Sequence, residues 1–534
     1  MQVRRRLLGF LLVFMILVWC IAVRQWRPIN PEALAVVHPN DPRETLAIAF
    51  STYVGGSNED TIRDVAVDSQ GNIYITGGTN SPDFPTTPGA YDRTLHTGGN
   101  SLGSAGPHDV FVMKLSPSGQ LIWSTYLGGP NYDRAYAIKV DNQGYVYITG
   151  RAGEGFPVTP GAFRTNFQGQ FSSLYGLQDG FVAKLTPDGS HLVFASYTGG
   201  RDLAIDQHGD IYIATSSALS DFSGAYLQAW FRNSFQKTSK GDRDAIVLKV
   251  KSNGSQVLWA TYLGGSGLDG GTPSIRVDSG GHAYYLCYTN SPDIPTTAGA
   301  YDRTHNGGGD LYLAKLSPDG SSLVFGTYIG GSKEEFSETH GLALDDEGNA
   351  YVAATTTSPD FPTTPGAFQT TYGGPGGRGT GAGTNYPGDA FVAKIAADGS
   401  QLLASTFLGG RLGEGAEGVA VDKQGNVYLG GTTYSDNFPV TTGAFKTRNS
   451  GGADVFAVKL SADLRHLLYA TYVGGSSTDY GRTAAIDSGG NLYVAGHTQS
   501  QDWPTRSAFQ TFLQGNWDGV LAKFIRGTGT STGR

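Results

Sequence analysis

TYVGGSNEDTIRDVAVDSQGNIYITG, residues 52–77, reads as two short strands around a Gly-Asn turn, and most of it is written again, with small changes, along a 534-residue chain. Its opening recurs as TYVGG at 52, TYLGG at 125, SYTGG at 196, TYLGG at 261, TYIGG at 327, TFLGG at 406 and TYVGG at 471. A second phrase keeps step with it, from VDSQGNIY at 67 to IDSGGNLY at 486, and so does a third, from DVFVMKL at 109 to DGVLAKF at 518. Three phrases in seven copies and constant order make this a repeat array, which is settled before any local reading.

Within one copy the apolar residues alternate, as in VAVD, NIYITG, DVFVMKL and LIWSTYLGG, and the segments are short, β-branched and aromatic. Each copy therefore offers four strands, A to D, with S-Q-G-N and S-P-S-G types at the A–B and C–D turns. Four-stranded antiparallel units in a radial array describe an all-β, seven-bladed β-propeller. The last copy runs out at FIRGTGTSTGR without a D strand, whereas TLAIAFSTYVGG, residues 45–56, is a D strand with no A, B or C before it. The N-terminal strand is thus expected to complete the last blade and leave no open edge.

The phrases VDSQGNIYITG, DFPTTPGA and DAFVAK, with the Tyr-Leu-Gly-Gly strand end, resemble the bacterial beta-propeller repeat family abbreviated SBBP, over roughly residues 45–526. Similar proteins are mostly extracytoplasmic and without an assigned biochemical role, so the resemblance implies a fold and leaves the function to the residues.

Residues 4–6 are arginines, followed by the apolar run LLGFLLVFMILVWCIAV at 7–23 and by Arg24 and Arg27. A basic end before an apolar stretch of this length is a signal-anchor or a cleaved signal peptide, with the basic end in the cytoplasm. The expected organisation is 1–28 signal segment, 29–44 tether, 45–526 propeller and 527–534 tail. The propeller is then extracytoplasmic, anchored by its N-terminal segment or secreted. Beyond residue 28 there are 33 basic and 46 acidic residues, a balance of −13. That charge makes nucleic acid and anionic membrane surfaces poor partners. Only Cys20 and Cys287 are present, so no disulfide framework is available.

No HExxH, CxxC, GxSxG or Walker pattern occurs, and the ten histidines lack ligand spacing. No catalytic residue, metal site or cofactor is therefore assigned. The Asp of the A–B turn and the Asp opening strand C occur in every copy and read as parts of the blade. An acid four residues after Gly-Gly stands in six copies: Asp60, Asp133, Asp269, Glu335, Glu414 and Asp479. In the D–A loops these acids would form a belt on one face, capping loops or attracting cations.

The long B–C connections share that face, and loops on a rigid scaffold carry function disproportionately. FPTTPGA within them, at 84–90 and in later copies, reads as an anchor for the loop. The residue five before each turn Asp is individual: Arg63, Tyr136, Arg201, Pro273, His340, Glu417 and Arg482. Arg482, Arg63, Tyr136 and Arg201 fall on one arc and suit either a carboxylate or polyanionic sugar at the channel mouth or pairing with the neighbouring acid belt; His340 joins them as a candidate. The third copy keeps only six residues from Gly200 to Asp206, and its B–C insert carries Tyr226, Trp230, Phe231 and Arg232, which read either as a binding notch or as the short local core of a decayed repeat. The expected function is a monomeric, non-catalytic binding or interaction scaffold for an envelope protein, peptide or glycan. The alternative is an extracytoplasmic glycan hydrolase or lyase acting at the channel mouth.

Overall fold

The structure, a computed structural model, describes residues 44–222, 224, 227–374 and 386–527. The expected signal segment, the tether up to residue 43, the tail beyond 527 and Tyr226 lie outside the described residues. Among the described residues no helix is long and apolar enough to cross a membrane.

Seven antiparallel sheets follow one another along the chain. The first holds Asp60–Val67, Ile73–Thr79, Asp109–Leu115 and Leu121–Leu127, which are strands A to D in order. The A strands touch in a closed circuit, Asp60–Val67 lying against both Arg134–Val140 of blade 2 and Asp479–Ile486 of blade 7. Blade 7 takes its fourth strand from the other chain end: Leu46–Val54 pairs antiparallel with Asp518–Arg526, Thr52 opposite Leu521. The Tyr53 hydroxyl fastens this strand further by donating to the Ser500 carbonyl at 2.7 Å. The seven-bladed ring closed by the N-terminal strand is therefore the observed architecture.

Each sheet is buried on both faces because it stands between two others. Tyr74 and Trp123 of blade 1, for example, share a core with Ile138 and Ile148 of blade 2. The repeated phrases maintain this packing. Asp68 Oδ1 accepts the Gln70 and Asn72 N–H groups at 2.9 and 2.8 Å, and Gly71 supplies the φ of 81° that the A–B turn requires. Phe84, of FPTTPGA, packs its ring 4.7 Å from Phe111 and ties the B–C loop to the sheet; Phe156, Phe361 and Phe438 repeat the contact.

One junction departs from the others in a compensated way. The C–D turn glycine of a blade backs onto an aromatic ring on strand D of the preceding blade. A Cβ on Gly119, Gly189, Gly254, Gly320 or Gly399 would come within 2.8 Å of Phe50, Trp123, Phe194, Trp259 or Phe325 respectively. Between blades 5 and 6 the aromatic is replaced by Ala404 and the glycine by Leu464, which is buried in the same core cluster at a φ of 56°. The bulk has moved from one side of the junction to the other.

Blade 3 is irregular at its inner edge. Its A strand is only Asp202–Ile205. Blade 2 leans into the freed space through the extra hairpin of Gln170–Ser172 with Gly176–Leu185, Gln170 donating from Nε2 to the Ser217 carbonyl at 2.7 Å. The insert read as a binding notch or a local core forms a short 3-10 helix, Leu227–Phe231. Phe231, 1% exposed, stacks 4.5 Å from Tyr262 on the outer strand, and Trp230 meets Phe163 edge-on at 5.8 Å while staying half-buried. Arg232 is exposed. The rings of Phe231 and Trp230 pack against blades 2 and 3 at the outer side of the ring.

Candidate functional site at the long-loop end of the channel

The acids expected as a belt are all fully buried. Each turns back onto its own loop, accepting the N–H of the second glycine of Gly-Gly: Gly56 to Asp60 at 2.7 Å, Gly129 to Asp133 at 2.7 Å, Gly265 to Asp269 at 2.8 Å, Gly331 to Glu335 at 3.0 Å, Gly410 to Glu414 at 3.0 Å and Gly475 to Asp479 at 2.8 Å. A serine from the end of strand B adds a bond in several copies, Ser81 to Asp60 at 2.8 Å among them. These side chains present no carboxylate surface to solvent. Burial pushes Asp60 and Glu335 up to about 7 and Glu414 to about 8, despite the hydrogen bonds that oppose it. The Asp opening strand C lies beside them: a Cβ on Gly330 would meet Asp310 Oδ1 at 2.5 Å and Glu335 Oε2 at 2.6 Å. Two repeated acids thus grip one glycine from the two sides of a blade junction.

What varies between copies is what gathers at the channel mouth. Tyr136, 3% exposed, is surrounded by guanidinium groups. Arg134 donates from Nη2 to its hydroxyl at 2.8 Å and Arg151 from Nε at 2.6 Å, while Arg201 and Arg63 lie over its ring at 4.2 and 5.9 Å from the centroid. Burial pushes the Tyr136 hydroxyl up, but Arg134, Arg151, Arg201 and Arg63 outweigh it and hold the group well below its usual range. Arg63 is pushed down to about 9 by burial first and then by Arg134 and Arg482. Arg482, by contrast, is paired, donating to Glu417 at 2.9 Å and to the Tyr386 hydroxyl at 3.2 Å. The expected arc of Arg482, Arg63, Tyr136 and Arg201 is therefore a real neighbourhood.

His340 does something else. The A strand of blade 5 is broken into Glu335–Phe336 and Leu342–Leu344, and His340 sits in the bulge between them at a φ of 79°. It reaches across the ring to blade 2, its Nε2 lying 3.0 Å from the Tyr136 carbonyl. Asp64 of blade 1 and Asp202 of blade 3 flank it at 3.8 and 3.7 Å. Burial lowers the His340 pKa, with Asp64 and Asp202 opposing. The side chain crosses the channel below the arginines and gives the mouth a floor.

Around this floor stand residues that the strand-A count passes over. Arg134 pairs in register with Arg151 and Tyr480 with His497 across strands A and B, and Tyr288 stands opposite Gly271. Tyr175 packs 4.0 Å from the Arg151 guanidinium, Tyr288 stacks on Phe336 at 6.3 Å, and Tyr480 stacks on Trp517 at 5.6 Å. Tyr175, Tyr288, Phe336, Tyr480 and Trp517 are all half-buried. Their signal in the sequence is deviation at fixed places: the residue after the belt acid (Arg134, Phe336, Tyr480) and the residue before the strand-C Asp (His108, Arg243, Trp517). The mouth is thus cationic on the side of blades 1 to 3 and aromatic on the side of blades 4, 5 and 7. Two other clefts, of about 420 and 230 Å³, lie elsewhere; the larger is lined by Leu403, Ala404, Asp463 and Arg465, the smaller by Pro85, Phe509 and Phe512.

Comparison with known families agrees with the geometry. The beta-propeller repeat model SBBP matches residues 49–85, 122–157, 324–362, 416–439 and 468–503. The chain carries SBBP beta-propeller repeats. The SBBP matches leave out residues 158–323, where the third copy is eroded, yet a four-stranded sheet still forms there. No curated protein matches the chain. Among solved structures, a protein of unknown function from Dyadobacter fermentans is 11% identical, covering 90% of this chain and 100% of that one, with a TM-score of 0.41. A polysaccharide lyase of family PL25, an ulvan lyase, is 13% identical over 83% of this chain and 93% of its own, also at 0.41. The WD40 propeller domain of Doa1 is 8% identical over 90% and 98%, at 0.40. None of these similarities bears on what the SBBP repeats of this chain do.

Proposed function

We propose that this protein is a non-catalytic binding or interaction scaffold that takes its partner on the long-loop face, seated over the channel mouth. The observation that carries this reading is the sorting of residues: the repeated ones are spent on turns and loop clamps, whereas the individual ones converge on a floored mouth rimmed with half-buried aromatic rings. Half-buried Tyr and Trp beside Arg are the side chains that anchor most binding surfaces. The basic and apolar N-terminal segment places the propeller, in this proposal, outside the cytoplasmic membrane, where envelope proteins, peptides and glycans are the available partners.

A glycan and peptide screen on the full chain, with product analysis of every hit, tests the reading. Hits are expected to survive unchanged, to weaken at least tenfold in Tyr175→Ala or Trp517→Ala, and to be indifferent to Arg465→Ala at the separate cleft. Turnover of a hit would transfer the site to the enzymatic alternative. Hits insensitive to both mouth variants would remove the mouth from the function.

A further inference from the structure

Four guanidinium groups, from Arg63, Arg134, Arg151 and Arg201, meet around one tyrosine, and among the described residues no carboxylate is hydrogen-bonded to any of them. Arg134 and Arg151 are each only 8% exposed, and their polar contacts are tyrosine hydroxyls: Tyr136 for both, and Tyr175 at 3.3 Å for Arg134. Arg63 and Arg201 form no side-chain hydrogen bond or ion pair among the described residues, and the buried Nε atoms of Arg63 and Arg134 have no acceptor. Two acids lie within electrostatic reach of this pair, half-buried Glu338 of Arg201 and buried Glu417 of Arg63, but neither makes a hydrogen bond or ion pair with them. Buried charge is tolerated when it is paired, and here like charges are stacked instead. Arg482 differs in holding Glu417 in a direct ion pair at 2.9 Å, which Arg63 does not.

We infer that the cluster is an anion seat, and that the ligand of the channel mouth is an acidic saccharide whose carboxylate or sulfate is held by Arg63 and Arg201, the two half-exposed members. Arg134 and Arg151 stand behind them and fix Tyr136. A planar fork of N–H donors suits a carboxylate or sulfate, and aromatic rings suit the apolar faces of sugar rings. Tyr175 is placed for this second contact, since its half-buried ring lies against Arg151 at the edge of the seat. The rings of Tyr480 with Trp517 and of Tyr288 with Phe336 line the mouth on other blades, as an extended chain needs. An acidic peptide would use the arginines but has less call for three aromatic stations. His340 reaches from blade 5 to the Tyr136 carbonyl of blade 2 beside the seat, an arrangement that suits a chain lying across the mouth.

The inference rests on the binding reading above, and its test separates the two. The full chain is titrated calorimetrically with trigalacturonate, with a chondroitin sulfate tetrasaccharide, with the methyl ester of the first and with a glutamate hexapeptide. Binding of at least one acidic glycan is expected, with the ester at least tenfold weaker. Arg63→Gln and Arg201→Gln should each cost at least tenfold in affinity, while Arg465→Gln changes nothing. In a buffer whose only anion is chloride, Arg63→Gln should melt no lower than the parent, because it removes a positive charge that has no ion pair and is repelled by Arg134 and Arg482. Sulfate at matched ionic strength should raise the melting point of the parent more than that of Arg63→Gln.

Equal binding of ester and acid, or no acidic glycan bound, overturns the proposal. So does a lower melting point for Arg63→Gln with affinity intact, which would make the arginine structural. Binding of the peptide as tightly as the glycans, with the same sensitivity to Arg201→Gln, overturns the saccharide assignment. A neutral hit lost in Tyr175→Ala but kept in Arg201→Gln would remove the anion seat and leave the binding face standing.

Discussion

Ala404 and Leu464 offer a test of how the ring is packed. Five junctions set an aromatic ring against a turn glycine, and this one sets Leu464 against Ala404. Leu464→Gly removes a buried leucine, which costs about 2–5 kcal/mol, while relief of the left-handed φ of 56° returns about 1–2 kcal/mol. Ala404→Trp alone drives a large ring into space that Leu464 fills, an overpacking that costs about 1–3 kcal/mol. The double variant recreates the Trp123/Gly189 and Trp259/Gly320 junctions. It should regain most of both losses, a coupling of about 2 kcal/mol or more. Melting curves and urea midpoints of the parent, both single variants and the double give the cycle. In a unit this large each kcal/mol moves the melting point by only about 1–2 °C, because the unfolding entropy grows with size. Hydrogen exchange of strand Leu402–Leu408 supplies the local readout. A double variant whose loss equals the sum of the singles would refute the compensation and leave Leu464 an isolated core residue.

A truncation starting at residue 57 should strip blade 7 of its outer strand, expose the edge of Asp518–Arg526 and aggregate or melt without cooperativity; a parent-like melt would sink the closure. Stability should also rise as pH falls from 8 towards 5. Asp60 and Glu335 at about 7 and Asp109 and Glu414 at about 8 hold protons in the folded state that the unfolded chain releases near pH 4. Their contribution is therefore complete below about pH 4 and is lost as pH climbs through the folded values. At the acid end His108, lowered to about 4 by burial, works in the opposite direction. Melting points measured at matched ionic strength that are flat or rise between pH 5 and 8 contradict the burial of these acids.

The fold was legible because each blade repeats its own instructions: the turn Asp, the strand-C Asp and the anchoring Phe84 and its equivalents recur, and the structure uses each copy in the same way. The belt acids kept two readings in the sequence, loop caps or a charged surface, for a physical reason. An acid four residues after Gly-Gly has the same pattern whether it faces water or folds back onto the glycine N–H, and only the three-dimensional loop distinguishes the two. The third-copy insert left open a binding notch or a local core, because the partners that decide it, Tyr262 and Phe163 against Phe231 and Trp230, lie far away in sequence. The channel mouth was half legible. Counting back from the turn Asp found Arg63, Tyr136 and Arg201 on strand A. Arg151 stands on strand B, and its register with Arg134 passes a bulge between Ala135 and Ala137 that no count along one strand can anticipate.

The pairing of Leu46–Val54 with Asp518–Arg526 also sets a timetable. Ribosomes add about 5–20 residues per second, so the first strand made waits roughly half a minute to a minute and a half for its partner, the last. Through that interval six blades can assemble on their own neighbours, but the earliest strand remains an unmatched edge that any other strand could capture. The ring is finished only when Asp518–Arg526 has been made, and whatever keeps the waiting strand Leu46–Val54 from sticking elsewhere governs the yield of closed rings.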